Sequence, residues 1–123
     1  MEKIEYSYPN QRKISINKDS CGKGELYTKI RIQSMNYAME NLSANTYKVW
    51  CYLAQNRNKY SMWLSPVDVC DITHISKSTY HRAFKELVDK SYLVRSVEKK
   101  NKYDFFESPH ILQEECNKIK MDT

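Results

Sequence analysis

At 123 residues the chain is long enough for one modest domain, and ten tyrosines with two tryptophans argue against wholesale disorder. Its only glycines are Gly22 and Gly24, so neither GxxxxGK(S/T) nor GxGxxG can be written, and a glycine-rich phosphate loop is excluded. The formal net charge of +5 is concentrated: residues 77–102 hold eight lysines and arginines against three acids, and the remainder is balanced.

In chain order, residues 1–25 read as a weakly structured arm of charged and polar residues. Within it "RKISI" could add a short strand through Ile14 and Ile16. Tyr6, Tyr8, Arg12 and Lys13 could reach into a groove of a nucleic acid, but are rather expected to pack on the domain or in a dimer. "LYTKIRIQ" (26–33) alternates apolar with polar residues and predicts a half-buried strand. "SMNYAMENL" predicts a short helical turn with Ser34 as N-cap. Ser43 then precedes the stripe Ala44, Tyr47, Trp50 or Cys51, and Ala54, which predicts a mostly buried helix over 44–56. "YSMWL" (60–64) is a short apolar run that could form a strand.

Ser65-Pro66 predicts a helix start, with serine capping and proline at the first position, where its missing N–H is harmless. That helix is expected over 66–71. Ser76 predicts the cap of the next helix, 77–90. Tyr80, Ala83, Phe84, Leu87 and Val88 share its apolar face by i, i+3, i+4, i+7 spacing. "SYLVRSVE" and "KYDFFES" are β-prone and separated by "KKN", so they read as a hairpin with strands over 92–98 and 102–107. Asn101 can supply the positive φ that a tip without glycine needs. The tail, 109–123, follows Pro109 and is expected to form a short helix or fray.

Two short helices joined by a tight turn, the second amphipathic and basic outward, make a helix-turn-helix, and a hairpin directly after makes it winged. "LSPVDVCDITHISKSTYHRAFKELVDKSYLV" (64–94) resembles the winged helix-turn-helix at the N-terminus of phage replisome organisers and plasmid replication initiators of Gram-positive bacteria. It is also similar to small winged-helix regulators. The resemblance covers roughly 43–107, with "ISKSTYHRAFKELV" as recognition helix and lead-in, "KSYLVR" as entry to the wing and "LSANTYKVWCYLAQN" as the first helix. It implies an α+β fold: a three-helix core and a C-terminal β-hairpin wing in a domain over 26–108, preceded by an N-terminal strand or arm. Where such turns usually carry glycine, this chain has Thr73-His74, so His74 is expected to adopt a positive φ. Replication organisers usually continue into a second domain; at this length a stand-alone DNA-binding factor is expected.

The implied site follows from how such helices dock. The N-terminal residues of the recognition helix face base edges in the major groove. Here they are Lys77, Ser78, Thr79, His81 and Arg82, with Ser76 and Ser78 able to bond phosphate oxygens and Lys85 a turn further on toward phosphate. Lysine and arginine donate to guanine O6 and N7, serine and threonine serve either base type, and a helix N-terminus favours phosphate. Tyr80 has core spacing rather than stacking spacing. The wing would present Arg95, Lys99, Lys100, Asn101 and Lys102 to the backbone or minor groove, so binding should depend steeply on salt. The same charges suit a solvated face, and charge alone does not decide.

Double-stranded DNA is therefore the expected partner, of plasmid, phage or mobile-element origin, with a role in transcription control, replication or transfer. A homodimer is expected on a palindromic site, with the arm or tail at its contact. The alternative is a winged-helix module that binds a host or partner protein; it should show an apolar outer face on helix 77–90, where this sequence has Lys77, His81, Arg82 and Lys85. Nothing points to catalysis, because no nucleophile has an identifiable base. No cofactor or metal is expected: the four cysteines form no CxxC, and Cys51 and Cys70 read as buried, reduced thiols. With no apolar run of membrane-spanning length and no signal-peptide pattern, a cytoplasmic protein is expected.

Overall fold

The computed structural model describes residues 10–24, 28–99 and 101–109. Four helices come first: α1 (Ile32–Asn41), α2 (Ala44–Ala54), α3 (Pro66–Thr73) and α4 (Lys77–Asp89). Two short strands follow, β1 (Leu93–Arg95) and β2 (Tyr103–Phe105). The strands pair antiparallel, with Leu93 opposite Phe105, Val94 opposite Asp104 and Arg95 opposite Tyr103. The fold is α+β, with a two-stranded hairpin after the helices, an order compatible with a winged-helix layout.

The core forms where α2, α3 and α4 meet beneath the hairpin. Trp50, Tyr92, Leu87, Val49 and Val69 are its largest fully enclosed side chains. Each contributes about 1.5–3 kcal/mol by leaving water. Trp50 stacks on Tyr47 and donates its indole N–H to the Glu107 carbonyl at 3.1 Å, tying α2 to the chain beyond β2. The apolar face expected on α4 is inward: Tyr80, Ala83 and Leu87 are buried, and Phe84 and Val88 half-buried. Tyr103 and Phe105, on one face of β2, pack against the same core.

Helix boundaries follow from local chemistry. Ser65 Oγ accepts the Asp68 N–H at 3.3 Å, and Pro66 opens α3. α3 runs two residues beyond the expected 71 and ends at His74, whose left-handed φ of 57° lets its N–H close on Cys70 O. α4 ends in a Schellman motif: Ser91, at φ 68°, donates its N–H to Val88 O, and Tyr92 donates to Leu87 O. A serine fills the position that glycine usually takes. Ser43 stands at the N-cap of α2, but its hydroxyl donates to Thr46 Oγ1 instead of capping the backbone.

Several expectations fail. The expected strand over 26–33 is not one: residues 25–27 lie outside the described residues, 28–31 are irregular, and Ile32 already opens α1. Alternation permits a strand, but a strand needs a neighbour to complete its ladder, and none lies alongside among the described residues. Of the described residues in this stretch Ile30 reaches the core, while Ile32 is exposed. Ser34 is no cap; Arg31 takes that place, and Ser34 is buried in α1 with its hydroxyl 3.1 Å from Ser108 Oγ. Ser34 and Ala38, one turn apart, are the small residues that bring α1 close to the core. "RKISI" forms no strand either, with Ile14 and Ile16 both exposed. Residues 60–64 are likewise irregular, and the hairpin strands are shorter than expected because ladder pairing stops at Arg95–Tyr103. Cys51 and Cys70 are half-buried rather than enclosed. Residues 1–9 of the arm, Lys100 and the tail from 110 lie outside the described residues.

Candidate nucleic-acid interface

α4 is prepared at its start. Ser76 Oγ accepts the Thr79 N–H at 3.2 Å, donates to Thr79 Oγ1 at 2.8 Å and lies 3.2 Å from Ser78 Oγ. Three hydroxyls thus surround the positive end of the helix. Lys77, Ser78, His81, Arg82 and Lys85 are all exposed. At 100° per residue they occupy an arc of about 140° on one side of the helix. His81 rests edge-on against the buried Tyr80, ring centroids 5.3 Å apart. Tyr80 is core, as its spacing implies. Burial raises its pKa above the usual tyrosine value, with Cys70 and Tyr52 adding to the shift.

Two contacts frame this arc. On the edge of Lys77 and His81, Phe84 meets Tyr103 of β2 edge-to-face at 5.1 Å, which fixes the hairpin beside the helix. On the edge of Arg82, Glu86 reaches the start of α2. Its carboxylate accepts the Ser43 backbone N–H at 3.1 Å, lies 3.4 Å from the Ser43 hydroxyl oxygen, and pairs with Lys90 at 3.9 Å. Glu86 therefore caps a helix in which it does not lie. Lys90 also donates to Asn41 O, at the end of α1. Between α2 and α4 a polar cleft of about 290 Å³ is lined by Ser43, Asn45, Thr46, Thr79, Arg82 and Glu86.

The consequence is electrostatic. Glu86 is one turn from Arg82, the spacing of a helical ion pair. Its oxygens are turned to Ser43 and Lys90 instead, and Arg82 has no carboxylate partner among the described residues. Among the described residues Lys77, Lys85, Arg95, Lys99 and Lys102 also form no ion pair. Of the described cations in this quarter of the chain, Lys90 alone has a carboxylate partner, Glu86.

The hairpin adds its own cations. Arg95 is exposed at the end of β1, and Lys99, Asn101 and Lys102 are exposed around the tip; Lys100 lies outside the described residues. The tip is braced by the Ser96 N–H to Lys102 O at 2.8 Å and the Lys99 N–H to Ser96 Oγ at 3.2 Å. Asn101 adopts the positive φ expected of it, at 62°.

Sequence reasoning misses Glu86, because Ser43 lies 43 positions away and no local pattern announces the contact. Among the described residues no group of three His, Cys, Asp or Glu could hold a metal ion, and no helix is long and apolar enough to cross a membrane. Comparison with known proteins returns no family model, no curated protein and no solved structure that matches the chain significantly.

Proposed function

We infer that the protein is a non-enzymatic, sequence-specific binder of double-stranded DNA, with α3 and α4 as a helix-turn-helix and the β1–β2 hairpin as its wing. α4 enters the major groove with Lys77, Ser78, His81 and Arg82 toward base edges, and Ser76, Thr79 and Lys85 toward the backbone. The wing lays Arg95, Lys99, Lys100, Asn101 and Lys102 along phosphates or the minor groove. One observation carries this reading: the exposed arc of α4 is basic, and its cations lack carboxylate partners among the described residues. A surface that binds proteins through α4 would present apolar residues there. The resemblance of residues 43–107 to replication-protein modules suggests the DNA of a plasmid, phage or other mobile element, acted on in the cytoplasm for transcription control, replication or transfer.

The test begins with selection of a preferred site from random duplexes. Arg82→Ala is then compared on that site and on mixed-sequence DNA. A base-reading Arg82 predicts a loss of about 1–3 kcal/mol on the selected site and far less on mixed sequence. Equal losses would reduce Arg82 to a phosphate contact, and failure to select any site would overturn sequence-specific reading.

A further inference from the structure

A second surface lies outside the basic arc. Trp63 is 94% exposed, the most exposed aromatic side chain among the described residues. Tyr60, Met62, Val67 and Ile72 are exposed with it, all within thirteen residues of chain. On α3 the exposed positions are Val67, Asp68, Asp71 and Ile72, which share one flank at 100° per residue. That flank runs from the 60–64 loop to a cleft of about 440 Å³ formed by Tyr47, Tyr52 and Ile72 among others. The backbone of residues 61–64 makes no hydrogen bond with the rest of the described protein, although Leu64 packs on the core. Five large apolar side chains exposed within thirteen residues, with Asp71 and Asp68 between Val67 and Ile72 on the flank, mark an interaction site.

Charge and area indicate what covers it. Between residues 57 and 72 the chain carries Arg57 and Lys59 in the loop and Asp68 and Asp71 on α3, so the face is neutral within a basic protein. The two acids disfavour a polyanion. The separation of positive loop from negative helix suits a copy of the same face turned by a two-fold axis, loop against helix. At their fractional exposures the five apolar side chains leave on the order of 700 Å² uncovered, close to the roughly 800 Å² per partner of a standard interface.

We propose that the protein forms a two-fold dimer through the 60–64 loop and the Val67–Ile72 flank of α3, with Trp63 of each copy packed on the other. This inference does not depend on what α4 binds, and it assigns the dimer contact to a different part of the chain from the arm or tail.

Sedimentation velocity of the full chain, without DNA, tests it together with tryptophan emission. Trp50 is fully buried in a single copy and supplies a constant background, so any shift reports Trp63. The expected result is a monomer–dimer equilibrium in which emission moves to shorter wavelength as the dimer forms. Trp63→Asp, and separately Val67→Asp, should weaken association by about 30-fold or more, the effect of losing a hot-spot residue, with an unchanged circular dichroism spectrum. A wild type still monomeric at about 100 μM, well above the roughly micromolar constant of the weaker standard-size interfaces, would overturn the proposal and leave the face to a different protein. Dimers that survive both substitutions would overturn it as well, by placing the contact elsewhere.

Discussion

Replacing Glu86 with alanine is expected to weaken the junction between α2 and α4. Its carboxylate accepts the Ser43 backbone N–H at the start of α2 at 3.1 Å, while the Ser43 hydroxyl proton goes to Thr46 Oγ1. A hydrogen bond to a charged group contributes about 1.5–3 kcal/mol, and partial exposure of Glu86 puts this one toward the lower end. The pair with Lys90, at 3.9 Å and with both side chains partly in water, adds only a few tenths. The loss should be about 2 kcal/mol, which lowers the melting temperature by roughly 10 °C in a domain this size. Glu86→Gln keeps an acceptor without charge and should lose about half as much. Thermal and urea unfolding followed by circular dichroism measure both. A change of less than about 0.5 kcal/mol for Glu86→Ala would match an ordinary surface substitution and refute the capping role. Under the proposed function the same substitution removes a negative charge beside Arg82. Affinity for mixed-sequence DNA should then rise while stability falls, and a general unfolding effect would not produce those opposite signs.

Tyr92 is enclosed, and its hydroxyl has no hydrogen-bond partner among the described residues, so Tyr92→Phe should raise stability by about 1 kcal/mol in urea unfolding at neutral pH. Burial, with a smaller contribution from Tyr37, pushes that hydroxyl from 10.0 to about 12. Stability is then complete below the unfolded value of 10, falls as the unfolded chain ionises between pH 10 and 12, and levels above; unfolding at pH 9 and pH 11 should show a decline that Tyr92→Phe reduces. His74→Gly and Ser91→Gly each relieve a left-handed residue and should stabilise by about 0.5–1 kcal/mol, whereas a loss at either position would mean that its side chain makes a contact outweighing the backbone strain.

The parts of the fold legible in the sequence are those with signals at two levels at once. α4 had a capping serine and an apolar stripe, and α3 had Ser65-Pro66; both formed within one or two residues of expectation. The left-handed turn at His74 could be read from the resemblance, in which such turns usually carry glycine, and not from the helix end, which was expected at 71. The helix expected in "SMNYAMENL" forms as α1 but starts at Ile32, and the residues before it were misread because they alternate like a strand, yet pairing depends on a neighbour that the pattern does not specify. The irregular 60–64 segment misled for the same reason. Ser91 gave no warning, since a serine in a Schellman motif carries no local signature. The exposed cations of α4 followed from helical periodicity alone. The lack of a carboxylate partner for Arg82 among the described residues did not, because it rests on Glu86 turning toward Ser43, a contact that exists only once α2 and α4 have packed.

The central claim is that α4 and the hairpin together meet a nucleic-acid duplex. Fluorescence anisotropy of a labelled mixed-sequence duplex, over a salt series, tests it most directly when the wild type is compared with a variant carrying Lys99→Ala, Lys100→Ala and Lys102→Ala. The wild type should lose affinity steeply as salt rises, and the variant should show a slope shallower by up to about three units, one for each phosphate contact removed. Equal slopes would remove the hairpin from the interface, and no binding by the wild type even at low salt would contradict the account.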